Sequence, residues 1–198
     1  MTMLVLINHK DNLILAADKR VVWKSTTGEI LQVLSDDVGK ITKWPGGFIS
    51  GCGFAPLLEE VKEFASGDDV GSIHEISHFL RSKVTSSSLD EYWISTTKFV
   101  AIYESNMGYR AVFFDANQDG VRAINDNSCL IIVNGVDTSF YKNRIELLLS
   151  VNDLSISDIT TVLSDLFSDV SSRNQGVSSG YDMAIINNDG RVVRKFNS

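Results

Sequence analysis

Residues 1–20 read "MTMLVLINHKDNLILAADKR". Two apolar β-type runs, "MLVLI" (3–7) and "LILAA" (13–17), flank the polar link "NHKDN", whose Asp and Asn favour a turn. This predicts an antiparallel hairpin whose first strand starts at the N-terminus and whose second ends on Asp18. Thr2 admits two readings: an ordinary edge-strand residue, or the first residue of a mature chain. The two readings predict different proteins.

Working outward, the 198 residues are read as one domain, 1–198, long enough to bury a core without metals or disulfides. Eighteen Lys plus Arg against twenty-five Asp plus Glu leave a formal charge of −7, which argues against nucleic acid or an anionic membrane as the main partner. Cys52 and Cys129 sit in apolar stretches and read as two buried thiols rather than a disulfide or a metal site. A basic n-region with an apolar h-region is absent, and no apolar run approaches the roughly 20 residues needed to span a bilayer, so the expected location is cytoplasmic.

Beyond Arg20, "VVWKSTTGEILQVLSDD" is mixed in character and reads as a loop or excursion with short extended pieces. "VGKITKW", "PGG" and "FISGCG" form a second predicted hairpin. The period then changes. Leu57, Leu58, Val61 and Phe64 recur at helical spacing behind Pro56, and Ser72 with Glu75 caps a second helix whose apolar face is Ile73, Ile76, Phe79 and Leu80. His74 and His78 fall on its polar face or edge. Strands follow in "KFVAIYES", "YRAVFFDAN", "GVRAI" and "SCLIIVNG". Two more helices come next, the first marked by Phe140, Tyr141, Ile145, Leu148 and Leu149. The second runs through "SISDITTVLSDLFSDV", capped by Ser155 and Asp158, and a final hairpin is "YDMAIINNDGRVVRKF". Segregated runs of strands and helices indicate α+β, and two stacked sheets with a helix pair on each outer face would make a four-layer αββα sandwich.

No glycine-rich phosphate loop, zinc-helix pattern or nucleophile elbow is present, and "DANQDG" lacks the glutamate that closes a calcium loop. No cofactor or metal is expected. With two of the three histidines on one helix and His9 in a turn-like position, a Ser/His/Asp triad is disfavoured. The N-terminus offers another route. Loss of Met1 would leave a threonine whose own α-amine, with a reference pKa near 8, could take the proton of its hydroxyl. Such a device needs a cation, a carboxylate to hold it, and N–H groups for the oxyanion. Asp18, Lys40 and Gly51 are candidates for these roles.

The stretch "TMLVLINHKDNLILAADKR" resembles the start of mature proteasome β-subunits and their bacterial relatives, N-terminal nucleophile hydrolases in which a terminal threonine leads a hairpin ending in Asp-x-Arg. "DVGKITKW" resembles the segment with the catalytic lysine, which selects Lys40 over Lys43 and Lys24. "FISGCG" resembles the strand ending in the oxyanion glycine, Gly51. "GVSSGY" resembles the Asp-x-Ser-Ser-Gly-Gly pattern and places Ser179 on the serine beside the terminal amine. The likeness extends over nearly the whole chain in element order, through short motifs. Two positions depart from it: Gly176 stands where an acidic residue is usual, and Asn134 stands near the place of a Gly-Ser-Gly serine. The interval from Asp18 to Lys40 is also longer than in most members, so Val21 to Asp37 is a candidate for a pocket wall or a subunit contact.

The resemblance implies a four-layer proteasome-subunit-like fold and a threonine-type peptidase, a hydrolase active once Met1 is removed, with Thr2, Asp18, Lys40, Gly51 and Ser179 as its site. It implies a peptide or unfolded-protein substrate, a homo-oligomeric ring and an ATP-dependent unfoldase as partner. The competing expectations are a catalytically silent ring-forming protein, favoured by Gly176 and a retained Met1, and an amidase of the same chemistry acting on a small amide.

Overall fold

A computed structural model describes residues 2–9, 12–25, 27–106, 108–118, 120–150 and 155–196. The elements run β1 (Leu4–His9), β2 (Asn12–Asp18), β3 (Val21–Lys24), β4 (Ile30–Ser35), β5 (Thr42–Trp44) and β6 (Gly47–Cys52). Helices α1 (Ala55–Ala65), α2 (Ile73–Ser86) and α3 (Glu91–Thr96) follow, then β7 (Lys98–Ser105), β8 (Gly108–Asp115), β9 (Arg122–Ala123) and β10 (Ser128–Ile132). The chain continues through α4 (Ser139–Leu149), α5 (Ile156–Arg173), β11 (Tyr181–Asn187) and β12 (Gly190–Phe196).

Apolar residues at consecutive positions in β1 and β2 bury both strand faces, because successive side chains point to opposite sides of a sheet. Met3, Val5 and Ile7 join Ile14 and Ala16 in a cluster with Ile159, Leu163, Leu166 and Phe167 of α5. Leu4, Leu6, Leu13, Leu15 and Ala17 turn the other way, onto Phe48, Val100 and Ile102 of β6 and β7. A third cluster gathers Leu57, Leu58 and Val61 of α1 and Ile76 and Leu80 of α2 over Ile49, Phe99 and Phe114. Each fully buried Leu, Ile or Phe contributes about 1.5–3 kcal/mol, so these three clusters hold the strands that carry the site.

Local signals set the helix starts. The Ser72 hydroxyl accepts from the Glu75 N–H, and Ser155 and Asp158 exchange side-chain and backbone hydrogen bonds as a complete capping box. α5 then buries Val162, Leu163, Leu166, Phe167 and Val170 along one face, with the Phe167 ring stacked on Tyr181 at 4.4 Å. His74 and His78 are exposed, whereas His9 is buried inside β1 with its Nδ1 2.9 Å from Asn127 Oδ1.

The α+β four-layer αββα sandwich expected from the sequence is corrected by the sheet topology. The chain is mixed α/β and rich in strand, about 36% against 33% helix, in three antiparallel sheets. Two sheets have five strands, ordered β10-β1-β2-β11-β12 and β5-β6-β7-β8-β9, and the third is the ribbon β3-β4. The reason lies in residues 21–35. Read as an excursion, they pair with themselves and form a separate ribbon, with Trp23, Leu31 and Leu34 exposed, instead of joining a layer. The order of strand and helix runs along a chain does not dictate how many sheets the strands make. None of the described helices is long and apolar enough to cross a membrane.

Candidate functional site

The site begins with strand register. β1 and β2 pair so that Leu4 faces Ala17, and the next step of the ladder sets Met3 beside Asp18, whose N–H donates to the Met3 carbonyl at 3.1 Å. On its other side β2 pairs with β11, where Tyr181 faces Asp18. Asp18 therefore lies between two neighbouring strands and is fully buried.

A buried carboxylate is costly unless its oxygens are hydrogen-bonded. Asp18 Oδ1 accepts from the Met3 N–H at 2.7 Å and from Lys40 Nζ at 3.1 Å. Oδ2 accepts from the Arg20 N–H at 3.0 Å and the Ser178 N–H at 3.3 Å. Burial pushes the carboxyl above its ordinary value, and the Lys40 charge with the Met3 and Arg20 N–H groups pulls it back.

Lys40 comes from the segment that enters β5, so it approaches from the other five-stranded sheet. Its carbonyl accepts from Ser50 Oγ on β6 at 3.0 Å, which fixes its backbone. Its ammonium donates to Thr2 Oγ1 at 3.0 Å, Asp18 Oδ1 at 3.1 Å and the Arg20 carbonyl at 2.5 Å. Burial lowers the Lys40 pKa, with the Asp18 charge opposing that shift and Lys62 adding to it. Three acceptors for three ammonium protons, and four donors on the carboxylate, match the charged form of both partners.

Thr2 is 8% exposed. Its hydroxyl accepts from Lys40, and the residue lines a cleft of about 80 Å³, shared with Cys52 at the end of β6, Gly53, α3, Lys98 and the end of β10 through Asn134. Lys24 of β3 completes the rim. The ribbon is held close to α3 at Gly28, whose φ is +88° and where an added Cβ would lie 2.6 Å from the Tyr92 hydroxyl. Only glycine fits that turn. Burial pushes the Cys52 thiol up to about 11, so it stays protonated and is a poor nucleophile.

Thr2, Asp18 and Lys40 are thus brought into one hydrogen-bonded group. Gly51 lies in β6 opposite Phe99 and does not line the cleft, although Cys52 and Gly53 do. Ser179 is half-buried in the segment before β11, and it is the preceding serine, Ser178, that contacts Asp18. The Ser178 hydroxyl accepts from the Lys19 N–H at 3.0 Å and donates to the Gly180 carbonyl at 2.7 Å, locking this segment to the end of β2.

Gly176 and Asn134 meet at one residue. Asn174 accepts from the Gly176 N–H at 2.9 Å and donates to the Asn134 carbonyl at 2.9 Å. Sequence reasoning missed Ser178, α3, and Lys24 and Lys98 as cleft residues. For α3 a signal existed, since Asp90 is an N-cap residue whose carboxylate accepts from the Tyr92 N–H. Lys24 falls within Val21 to Asp37, the stretch read as a candidate pocket wall, whereas nothing in the sequence marked Lys98. Among the described residues no group of His, Cys, Asp and Glu could hold a metal ion. No protein-family model matches the chain, and no curated protein matches it.

Proposed function

We propose that this protein is an N-terminal threonine peptidase of the proteasome-like class, active once the Met1–Thr2 bond is cleaved. One observation carries the reading: Lys40 Nζ stands 3.0 Å from Thr2 Oγ1 and 3.1 Å from Asp18 Oδ1, in a buried setting. A surface lysine would have no reason to abandon water for a threonine hydroxyl; a lysine that favours an alkoxide does.

The freed α-amine of Thr2 takes the hydroxyl proton while Oγ1 bonds to the scissile carbonyl carbon. Lys40, held by Asp18, stabilises the developing negative charge at Oγ1. The C–N bond then breaks, the leaving amine carries away the proton, and the acyl group remains on Thr2. Water, deprotonated by the Thr2 α-amine, then attacks the ester carbonyl; the acyl C–Oγ1 bond breaks, the α-ammonium returns its proton to Oγ1, and the acid product leaves. Ser179 supports the amine. A homo-oligomeric ring that confines the site, fed with unfolded protein by an ATP-driven unfoldase, belongs to the same proposal.

The silent, ring-forming alternative draws on Gly176, which offers no side chain where an acidic residue would support the amine. Intact-mass measurement of protein purified from its native host separates the two. A mass lacking Met1, together with peptide hydrolysis abolished by Thr2→Ala, is expected. Retention of Met1, or hydrolysis that persists in Thr2→Ala, overturns the peptidase reading, and turnover of small amides without peptide cleavage would replace it by an amidase.

A further inference from the structure

The cleft beside Thr2 carries two half-buried lysines, Lys24 and Lys98, and among the described residues no acidic one lines it. That is unusual for a chain of net charge −7. Elsewhere the protein pairs its buried lysines: Lys19 with Asp37, Lys40 with Asp18, Lys62 with Glu59. Lys24 and Lys98 form no ion pair with the described residues. Keeping two half-buried ammonium groups in one small cleft without a counter-charge costs free energy, and that cost falls when an anion enters.

Resting on the peptidase reading, we infer that this cleft is an anion-recognising subsite in which Lys24 and Lys98 bind the carboxylate of an Asp or Glu side chain in the peptide presented to Thr2. Size agrees with this occupant. A water needs roughly 10–15 Å³ of such space, so about 80 Å³ accommodates a group of a few heavy atoms and excludes a large aromatic ring. Composition agrees too. Ile132, Val133 and Trp93 supply apolar wall for the methylenes, and Asn134 supplies an amide donor. The Cys52 thiol, protonated up to about 11, adds no negative charge to cancel the lysines.

The test is direct binding, which does not need turnover. Thr2→Ala protein is titrated with two peptides, acetyl-Ala-Ala-Asp amide and acetyl-Ala-Ala-Asn amide, at low and high salt, and the unsubstituted protein is assayed with matching cleavable peptides. The Asp peptide should bind about tenfold more tightly than its neutral isostere, the scale of one charge-assisted contact. The preference should shrink at high salt and fall to about one in Lys24→Gln/Lys98→Gln. Equal binding of the two peptides overturns the inference, whatever hydrolysis shows, as does a preference that survives loss of both lysines. If the double variant fails to fold, the salt dependence of the protein with both lysines intact decides instead: a preference that high salt leaves unchanged overturns the inference. A lysine-dependent preference in a protein that cleaves no peptide supports the subsite and overturns the peptidase reading alone.

Discussion

Asn174 joins the two ends of the site's outer wall: its side-chain amide donates to the Asn134 carbonyl at 2.9 Å while its side-chain oxygen accepts from the Gly176 N–H at 2.9 Å. Asn134 lines the cleft, and the segment beginning at Gly176 continues to Ser178, whose N–H reaches Asp18. One side chain therefore couples the cleft wall to the support of the buried carboxylate.

Asn174→Ala should cost about 1 kcal/mol of stability, the worth of a hydrogen bond to a partly exposed group. Peptide turnover should fall more than stability does, and Asn174→Asp, which keeps the acceptor for Gly176 but loses the donor to Asn134, should recover only part of it. Denaturant melts alongside kcat and KM would measure both effects.

Removing Lys40 leaves Asp18 fully buried without its cation. Lys40→Met should destabilise the fold by about 3–5 kcal/mol and abolish Thr2-dependent hydrolysis. The pH dependence has a defined sign. Burial lowers the Lys40 pKa in the folded protein below its ordinary 10.5, so just below that pH the unfolded chain binds the proton more tightly than the folded one. Stability contributed by this group rises with pH across the interval that ends at 10.5. The Tm difference between unsubstituted protein and Lys40→Met should widen over that interval.

Gly51→Ala should destabilise by about 1–3 kcal/mol through overpacking. An added Cβ would lie 2.6 Å from Leu58 Cδ2 and 2.9 Å from two ring carbons of Phe99. Adding Leu58→Ala should recover part of that loss, giving a double-mutant energy smaller than the sum of the single ones. Lost activity in Gly51→Ala alone would therefore report crowding as much as a displaced oxyanion donor.

Trp23, Leu31 and Leu34 on the β3–β4 ribbon are 60%, 62% and 53% exposed. Exposed apolar side chains on a ribbon with open strand edges favour association. Trp23→Ser/Leu34→Ser should lower the assembly mass measured by sedimentation at equal concentration, with the monomer's helix and strand content unchanged in circular dichroism.

Single elements were legible because their signals are local, whereas the four-layer arrangement read from their order was not what the strands form. The spacing of Ile159, Val162, Leu163, Leu166 and Val170 and the Ser155–Asp158 cap identify α5 without any tertiary information, and the polar link after Asn8 marks the first hairpin. What escaped depends on non-local pairing. Residues 21–35 alternate poorly and leave large apolar side chains in solvent, so their pattern resembles a loop although their backbone forms a ladder. Helix α3 spans only six residues, too few to display a period. Asp18 and Lys40, 22 residues apart, could be joined on paper only through a resemblance, because no spacing rule relates a strand end to a loop entering another sheet. Ser178 and Ser179 are adjacent in an irregular segment, and backbone geometry alone decides which of them meets Asp18.

Three of the four donors to Asp18 belong to the main chain, at Met3, Arg20 and Ser178. Every amino acid except proline supplies that N–H, so these three hydrogen bonds do not themselves require particular side chains. The charge at the heart of the site is thus held largely by strand geometry, and of its four donors only Lys40 contributes a side chain.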